Sequence, residues 1–181
     1  MKPNAFVAKS QLGAQAPLGF WDPLGYCEGI TEMEFKKLRS SEIKHGRLAM
    51  MATIGFITPF YSKLPGYLSL SKDIKFEDIP VGITAISKVP AAGWVQILLF
   101  AAICEFGFGP NIQEWKDGQP GDYGRGFLGM FGPITDPAKK ARSLSAEISN
   151  GRLAMAAITG MILQNGITGG TDSAMWFGSS P

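Results

Sequence analysis

Histidine occurs once in this chain and cysteine twice, at Cys27 and Cys104. Two cysteines so far apart give no disulfide framework, and no Cys/His spacing suits zinc. No nucleophile stands beside a base in a recognisable motif, so an enzyme reading has nothing to rest on. Charge is scarce, at 18% of residues against about 25% in an ordinary soluble domain. The formal charge of +2 comes without a basic patch interleaved with aromatics, and a nucleic-acid partner is excluded on that ground. No segment is an uninterrupted run of 18 apolar residues, the simplest mark of a membrane span. The start, Met1-Lys2-Pro3-Asn4-Ala5, carries no secretory or transit pattern, and it reads as a mature form whose targeting segment has been removed.

What the chain has in quantity is apolar. Hydrophobic residues make up 45%, with 23 Gly and 8 Met, and the mean hydropathy is slightly positive at +0.08. At 181 residues this is one domain, residues 1–181, of membrane type. Within it the stretch Glu42-Ile43-Lys44-His45-Gly46-Arg47-Leu48-Ala49-Met50-Met51-Ala52 returns 105 residues later as Glu147-Ile148-Ser149-Asn150-Gly151-Arg152-Leu153-Ala154-Met155-Ala156-Ala157. Eight of the eleven positions are identical, which marks an internal repeat.

Residues 1–35 read as irregular, with turn chemistry at Trp21-Asp22-Pro23 amid large aromatics; these rings line a membrane surface or simply hold a turn. A first helix is expected over about 36–60, starting near Thr31–Phe35 or at Ser40/Ser41 and ending near Pro59. A surface loop over 62–90 follows, with a mixed-charge patch at Lys72, Asp73, Lys75, Glu77 and Asp78. The second helix is expected over 91–109, nearly all apolar with Gln96 and Glu105 embedded. A Gly- and Pro-rich loop over 110–140 contains Asp136-Pro137. The third helix is expected over 143–165, stopped by Gly166, Gly169 and Gly170. The tail Asp172–Phe177 is one short amphipathic turn. The fold class is therefore all-α membrane protein with three transmembrane helices. Lys and Arg number ten on the N-terminal side plus the second loop, and four in the first loop. That puts the amino terminus on the positive-inside face and the carboxyl terminus opposite.

Each span carries ionisable or amide groups, which are costly there unless paired or bound. Small residues recur at Gly46, Ala49, Ala52 and Gly55, and again at Gly151, Ala154, Ala157 and Gly160. Such rows let two backbones approach and favour a large crossing angle, so the first and third helices form a pseudo-twofold crossed pair. Glu42 then reaches Arg152, and Glu147 reaches Arg47, neutralising each carboxylate across the interface. Removing Arg152 would strand Glu42 as an unpaired charge. His45 and Asn150 sit three residues after the two acids, on the same helix face. Single ligands, each alone on a helix, do not make a protein metal cage. They fit one axial ligand apiece for a metal already held in a planar ring.

Glu-x-x-His-Gly-Arg-Leu-Ala-Met and Glu-x-x-Asn-Gly-Arg-Leu-Ala-Met resemble the paired signatures of the light-harvesting chlorophyll-binding family. Pro17-Leu18-Gly19-Phe20-Trp21-Asp22-Pro23-Leu24-Gly25 and Lys88-Val89-Pro90-Ala91-Ala92-Gly93-Trp94 resemble its chlorophyll a/c branch, the fucoxanthin and peridinin type antennae. The resemblance implies a non-enzymatic antenna that passes excitation to a photosystem. It implies chlorophyll a, chlorophyll c and carotenoids as cofactors, the carotenoids of fucoxanthin or peridinin type with a diadinoxanthin-like xanthophyll. Glu42, His45, Glu147 and Asn150 would be axial ligands to chlorophyll magnesium, with Gln164 a further ligand on the third helix and Gln96 and Glu105 ligands on the second. Arg47 and Arg152 would be the ion-pair partners. Trp21-Asp22-Pro23 and Asp136-Pro137 would cap carotenoid head groups, and Met50 and Met155 would line the polyenes. A C-terminal histidine used by green members is absent, and Trp176 stands in that tail. The implied setting is the thylakoid, amino terminus stromal and carboxyl terminus lumenal. The implied partners are a photosystem I or II core, neighbouring antenna subunits and thylakoid lipids.

Other readings remain beside these. Gln96 also suits an interhelix hydrogen bond, and the two methionines also suit plain packing. A photoprotective quencher of the same family, or a small transporter using the Glu/Arg pairs, are the competing functions. Gly124-Arg125-Gly126-Phe127-Leu128-Gly129 matches a dinucleotide-binding pattern but has no strand before it, so it carries no function.

Overall fold

The structure is a computed structural model that describes residues 8–106, 120 and 134–169. Among these residues the fold is mostly helical. A 3-10 turn at Ala8–Ser10 leads to helix α1 (Glu32–Tyr61), a hairpin of β1 (Tyr67–Ser69) and β2 (Ile74–Lys75), the short helix α2 (Ala85–Lys88), α3 (Ala91–Phe106) and α4 (Pro137–Thr168). The chain divides into two compact units, Met1–Leu48 with Pro110–Leu153, and Ala49–Gly109 with Ala154–Pro181. Both long helices run from the first into the second.

In the first unit, α1 begins earlier than the helix expected from residue 36, and a capping box explains it. The Thr31 hydroxyl accepts a bond from the Glu34 backbone N–H, while the Glu34 carboxylate accepts from the Thr31 N–H at 3.0 Å, satisfying two otherwise orphaned donors. The Thr31 backbone N–H and hydroxyl also hold the Glu34 carboxyl below its ordinary value. Of the two expected starts, Thr31 is therefore the one used. Helix α4 likewise starts earlier than 143, since Asp136 caps it. Its carboxylate accepts from the Ala138 N–H at 3.0 Å, and Pro137 fills the first helical position, where its missing N–H costs nothing.

The two helices bury the same three offsets of the repeat: Ile43, Gly46 and Ala49 on α1, and Ile148, Gly151 and Ala154 on α4. A Cβ placed on Gly46 would lie 2.9 Å from the Gly151 Cα, and one on Gly151 would lie 3.0 Å from the Gly46 Cα. The two backbones touch there.

In the second unit the small rows open out: a Cβ on Gly55 or on Gly160 would meet nothing within 4 Å. Only the head of each row is a close-approach surface. Helix α1 passes through Pro59 to Tyr61, because a proline this near the end removes a bond without displacing a following turn. Gly166 does not stop α4. The helix ends at Gly169, whose φ of 60° and N–H bond to the Asn165 carbonyl at 2.9 Å form a left-handed cap. The segment 62–90, expected as plain surface loop, contains the antiparallel hairpin, with Tyr67 opposite Lys75 and Ser69 opposite Ile74. Its far end is pinned to α4: the buried Asn165 accepts from the Ile83 N–H at 2.8 Å, and Gly82, at φ +80°, leaves room for that amide. Val89 is extended, as a residue before proline must be, and α3 leaves the preceding helical turn at 107°.

Among the described residues no single helix is long and apolar enough to cross a membrane. The bent pair Gly82–Lys88 and Ala91–Cys104 passes that test together. Helix α3 is apolar but has 16 residues, and α1 and α4, at 30 and 32, each join a charged half to an apolar one. Residues 107–109 of the expected second helix, the loop over 110–133 other than Pro120, and the C-terminal turn lie outside the described residues.

Gly46→Ala is expected to force the two backbones apart and lower stability by about 1–3 kcal/mol, whereas Gly55→Ala leaves it within about 0.5 kcal/mol. Thermal unfolding followed by circular dichroism in detergent measures both.

Candidate functional site

Glu42 and Arg47 are five residues apart, about 140° around a helix with 3.6 residues per turn. They cannot face each other on α1, and the same holds for Glu147 and Arg152 on α4. The glycine contact resolves this by bringing the other helix within reach. Arg152 Nε donates to Glu42 Oε1 at 2.7 Å, and Arg47 Nε donates to Glu147 Oε1 at 2.6 Å. The expected exchange of acid and base between the two copies is present. Both carboxylates are half-buried, with 28% of each side chain exposed.

A third arginine joins one side only. Arg39 Nη1 donates to Glu42 Oε2, so both oxygens of Glu42 carry guanidinium bonds. Arg39 Nη2 donates to the Leu12 carbonyl and Arg152 Nη1 to the Gly13 carbonyl, each at 2.6 Å. The N-terminal segment is thus strapped across the ion cluster. Gly13, at φ +97°, leaves a Cβ no room beside the Arg39 and Arg152 guanidinium groups. Gln15 extends the strap, donating to Ser145 and accepting from the Ser149 hydroxyl on α4. Arg39, Gly13 and Gln15 were missed in the sequence reading. The available signal was the spacing of Arg39 and Glu42, three residues apart on one face, with Leu144 at the matching place in the second copy. Arg152 is therefore not the sole neutraliser of Glu42, and its loss does not strand that carboxylate.

His45 is exposed on α1, and its Nδ1 lies 2.8 Å from the Ser41 carbonyl oxygen. A carbonyl only accepts, so Nδ1 must carry the proton. In a neutral ring that leaves Nε2 with a free lone pair, the state a metal ligand needs. Asn150, its counterpart, is exposed on α4. Gln96 is exposed on α3, and Gln164 is exposed on α4, where its backbone carbonyl accepts from the Thr168 hydroxyl at 2.8 Å. Glu105 belongs to α3 by its backbone. Met50 and Met155 are half-buried. Among the described residues no three His, Cys, Asp or Glu side chains converge on a metal position.

The two Asp-Pro turns hold their own backbone. The Asp22 carboxylate accepts from the Tyr26 and Cys27 N–H groups at 3.1 and 2.7 Å, beside an exposed Trp21 and Pro23. Asp136 and Pro137 start α4 as described. Partial burial, and next the charge of Asp22, push the Cys27 thiol up from its ordinary value, which disfavours a thiolate nucleophile.

Two repeated helices are joined at a glycine contact by reciprocal ion pairs. The chain belongs to the chlorophyll A-B binding protein family, whose model matches residues 8–166. It is 38% identical over 158 residues to fucoxanthin-chlorophyll a-c binding protein F, chloroplastic, of Macrocystis pyrifera, covering 86% of this chain and 73% of that one. Protein B of the same organism is 39% identical over 157 residues, covering 86% and 71%. Fucoxanthin-chlorophyll a-c binding protein B, chloroplastic, of Phaeodactylum tricornutum is 36% identical over 156 residues, covering 86% and 77%.

A double-mutant cycle separates the two ion pairs. The coupling between Glu147→Gln and Arg47→Leu is expected at about 1–2 kcal/mol. That between Glu42→Gln and Arg152→Leu should be smaller, because Arg39 remains on Glu42. Thermal unfolding of the singles and doubles reads both.

Proposed function

We propose that this chain is a light-harvesting antenna that binds chlorophyll a, chlorophyll c and carotenoids of the fucoxanthin type. The observation that carries the reading is the doubled ion pair with His45 fixed in its ligand tautomer beside it. Pairing removes the net charge of each carboxylate, and a carboxylate oxygen in an ion pair keeps lone pairs for a metal already satisfied in its ring plane. Glu42, His45, Glu147 and Asn150 would each hold a chlorophyll magnesium, as would Gln164, Gln96 and Glu105. Trp21-Asp22-Pro23 and Asp136-Pro137 stand at carotenoid head groups, with Met50 and Met155 along the polyenes.

In this reading residues 1–181 form one membrane domain. The apolar halves of α1 and α4 and the α2–α3 segment cross the thylakoid, amino terminus stromal and carboxyl terminus lumenal. No bond is made or broken. The protein sets pigment distance, orientation and local polarity, and passes excitation to neighbouring antenna subunits and a photosystem core.

The protein purified in mild detergent from its native membrane is expected to show chlorophyll a and c bands with a carotenoid shoulder in the green. A colourless preparation overturns the reading, and chlorophyll b in place of c moves the chain to the green branch.

A further inference from the structure

The two halves of the ion cluster are not equivalent, and the difference lies in one residue. Glu42 takes a guanidinium on each oxygen, Arg152 on Oε1 and Arg39 on Oε2. Among the described residues Glu147 takes one guanidinium, that of Arg47. The repeat offset of 105 places Leu144 opposite Arg39, so the second copy has no donor to offer at that place. Arg39 is also less exposed than Arg47 or Arg152. Its side chain is 13% exposed, against 32% for Arg47 and 44% for Arg152. It is fixed at the Leu12 carbonyl and lies 5.2 Å over the Phe35 ring. A guanidinium secured on three sides does not swing away when the carboxylate acquires another partner.

We propose that Arg39 is a positioning residue that makes Glu42 the weaker of the two carboxylate ligands and sets its pigment apart in energy from the one on Glu147. The inference rests on the ligand reading given above. Each charge-assisted hydrogen bond draws electron density from the oxygen that accepts it. Glu42 has one such bond on either oxygen, so no oxygen is left with undiminished basicity. The charge balance differs as well. Arg39 places beside Glu42 a positive charge that the second copy, with Leu144 at the matching position, lacks, and a ring above Glu42 feels that charge. Two sites with one motif thereby hold the same pigment type at different strengths and different transition energies. An antenna that passes excitation in one direction needs such an inequality.

The test is made on the full chain refolded with its pigments. Difference spectra against wild type of Glu42→Leu and Glu147→Leu, which remove the ligand oxygen, locate the band belonging to each carboxylate. Wild type is expected to lose the Glu42 band about fivefold faster under detergent extraction, the ratio corresponding to one net hydrogen bond. Arg39→Gln narrows that ratio and shifts the Glu42 band while the Glu147 band stays put. Arg39→Lys, which keeps the charge, restores most of the band position. Leu144→Arg moves the Glu147 band in the sense opposite to that in which Arg39→Gln moves the Glu42 band, and it guards against a strap that fails to refold. If both Glu→Leu variants lose a band but Arg39→Gln and Leu144→Arg shift neither, the inference falls alone. If neither Glu→Leu variant loses a band, it falls together with the ligand reading.

Discussion

The contact on which everything else depends is backbone on backbone, Gly46 against Gly151. An acid and a base five residues apart on one helix point to different sides, so each must find its counterion on another element. Any side chain at either glycine would hold the axes apart, and an extra ångström would open a 2.6 or 2.7 Å bond beyond hydrogen-bond range. The glycines therefore act through the carboxylates. They shorten the gap so that four ions, placed where apolar helix begins, cancel in pairs.

A duplicated motif invites a symmetric picture, and the structure departs from it at one end. Among the described residues the segment carrying Leu12, Gly13 and Gln15 rests on one half of the pair. It lies on the side where Arg39 and Arg152 offer spare donors, and along α4 at Ser145 and Ser149. Guanidinium groups have five donors each. One carboxylate leaves most of them unmet, and the backbone carbonyls at Leu12 and Gly13 take up part of the remainder. The strap and the third arginine thus form one device.

Much of this was written in the sequence, and the parts that were not have a common cause. The pairing of Glu42 with Arg152 and of Glu147 with Arg47 followed from the repeat, because its two rows of small residues imply that the copies meet face to face. The chain's family was carried by the same eleven positions. Helix starts were less legible, since Thr31 and Ser41 both suit an N-cap and only the return bond from Glu34 decides between them. The hairpin at Tyr67–Lys75 is too short to show a period. The strap was invisible because carbonyl groups carry no residue identity: Leu12 enters the site through its main chain, and Gly13 through a conformation and the lack of a Cβ. The expectation of three straightforward spans met helices that are each half charged or too short, so segment length and composition did not separate crossing from lying alongside.

The apolar balance bears on that last point. On α3 the side chains of Val95, Ile97, Leu98, Leu99, Phe100 and Ile103 are 53–69% exposed. Fully burying one such side chain is worth roughly 1.5–3 kcal/mol. Left half in water, the six would forgo on the order of 5–10 kcal/mol, against a total stability of about 5–15. Leu48 and Leu153, at 71% and 69%, repeat the pattern at matching places beside Arg47 and Arg152. Each therefore marks the level at which a charged layer gives way to an apolar one. A fold that turned these surfaces to water would have little left to hold it together. In hydrocarbon the same side chains would cost nothing, and the bent pair of Gly82–Lys88 and Ala91–Cys104 together has the length and apolar character that the 16 residues of α3 lack alone.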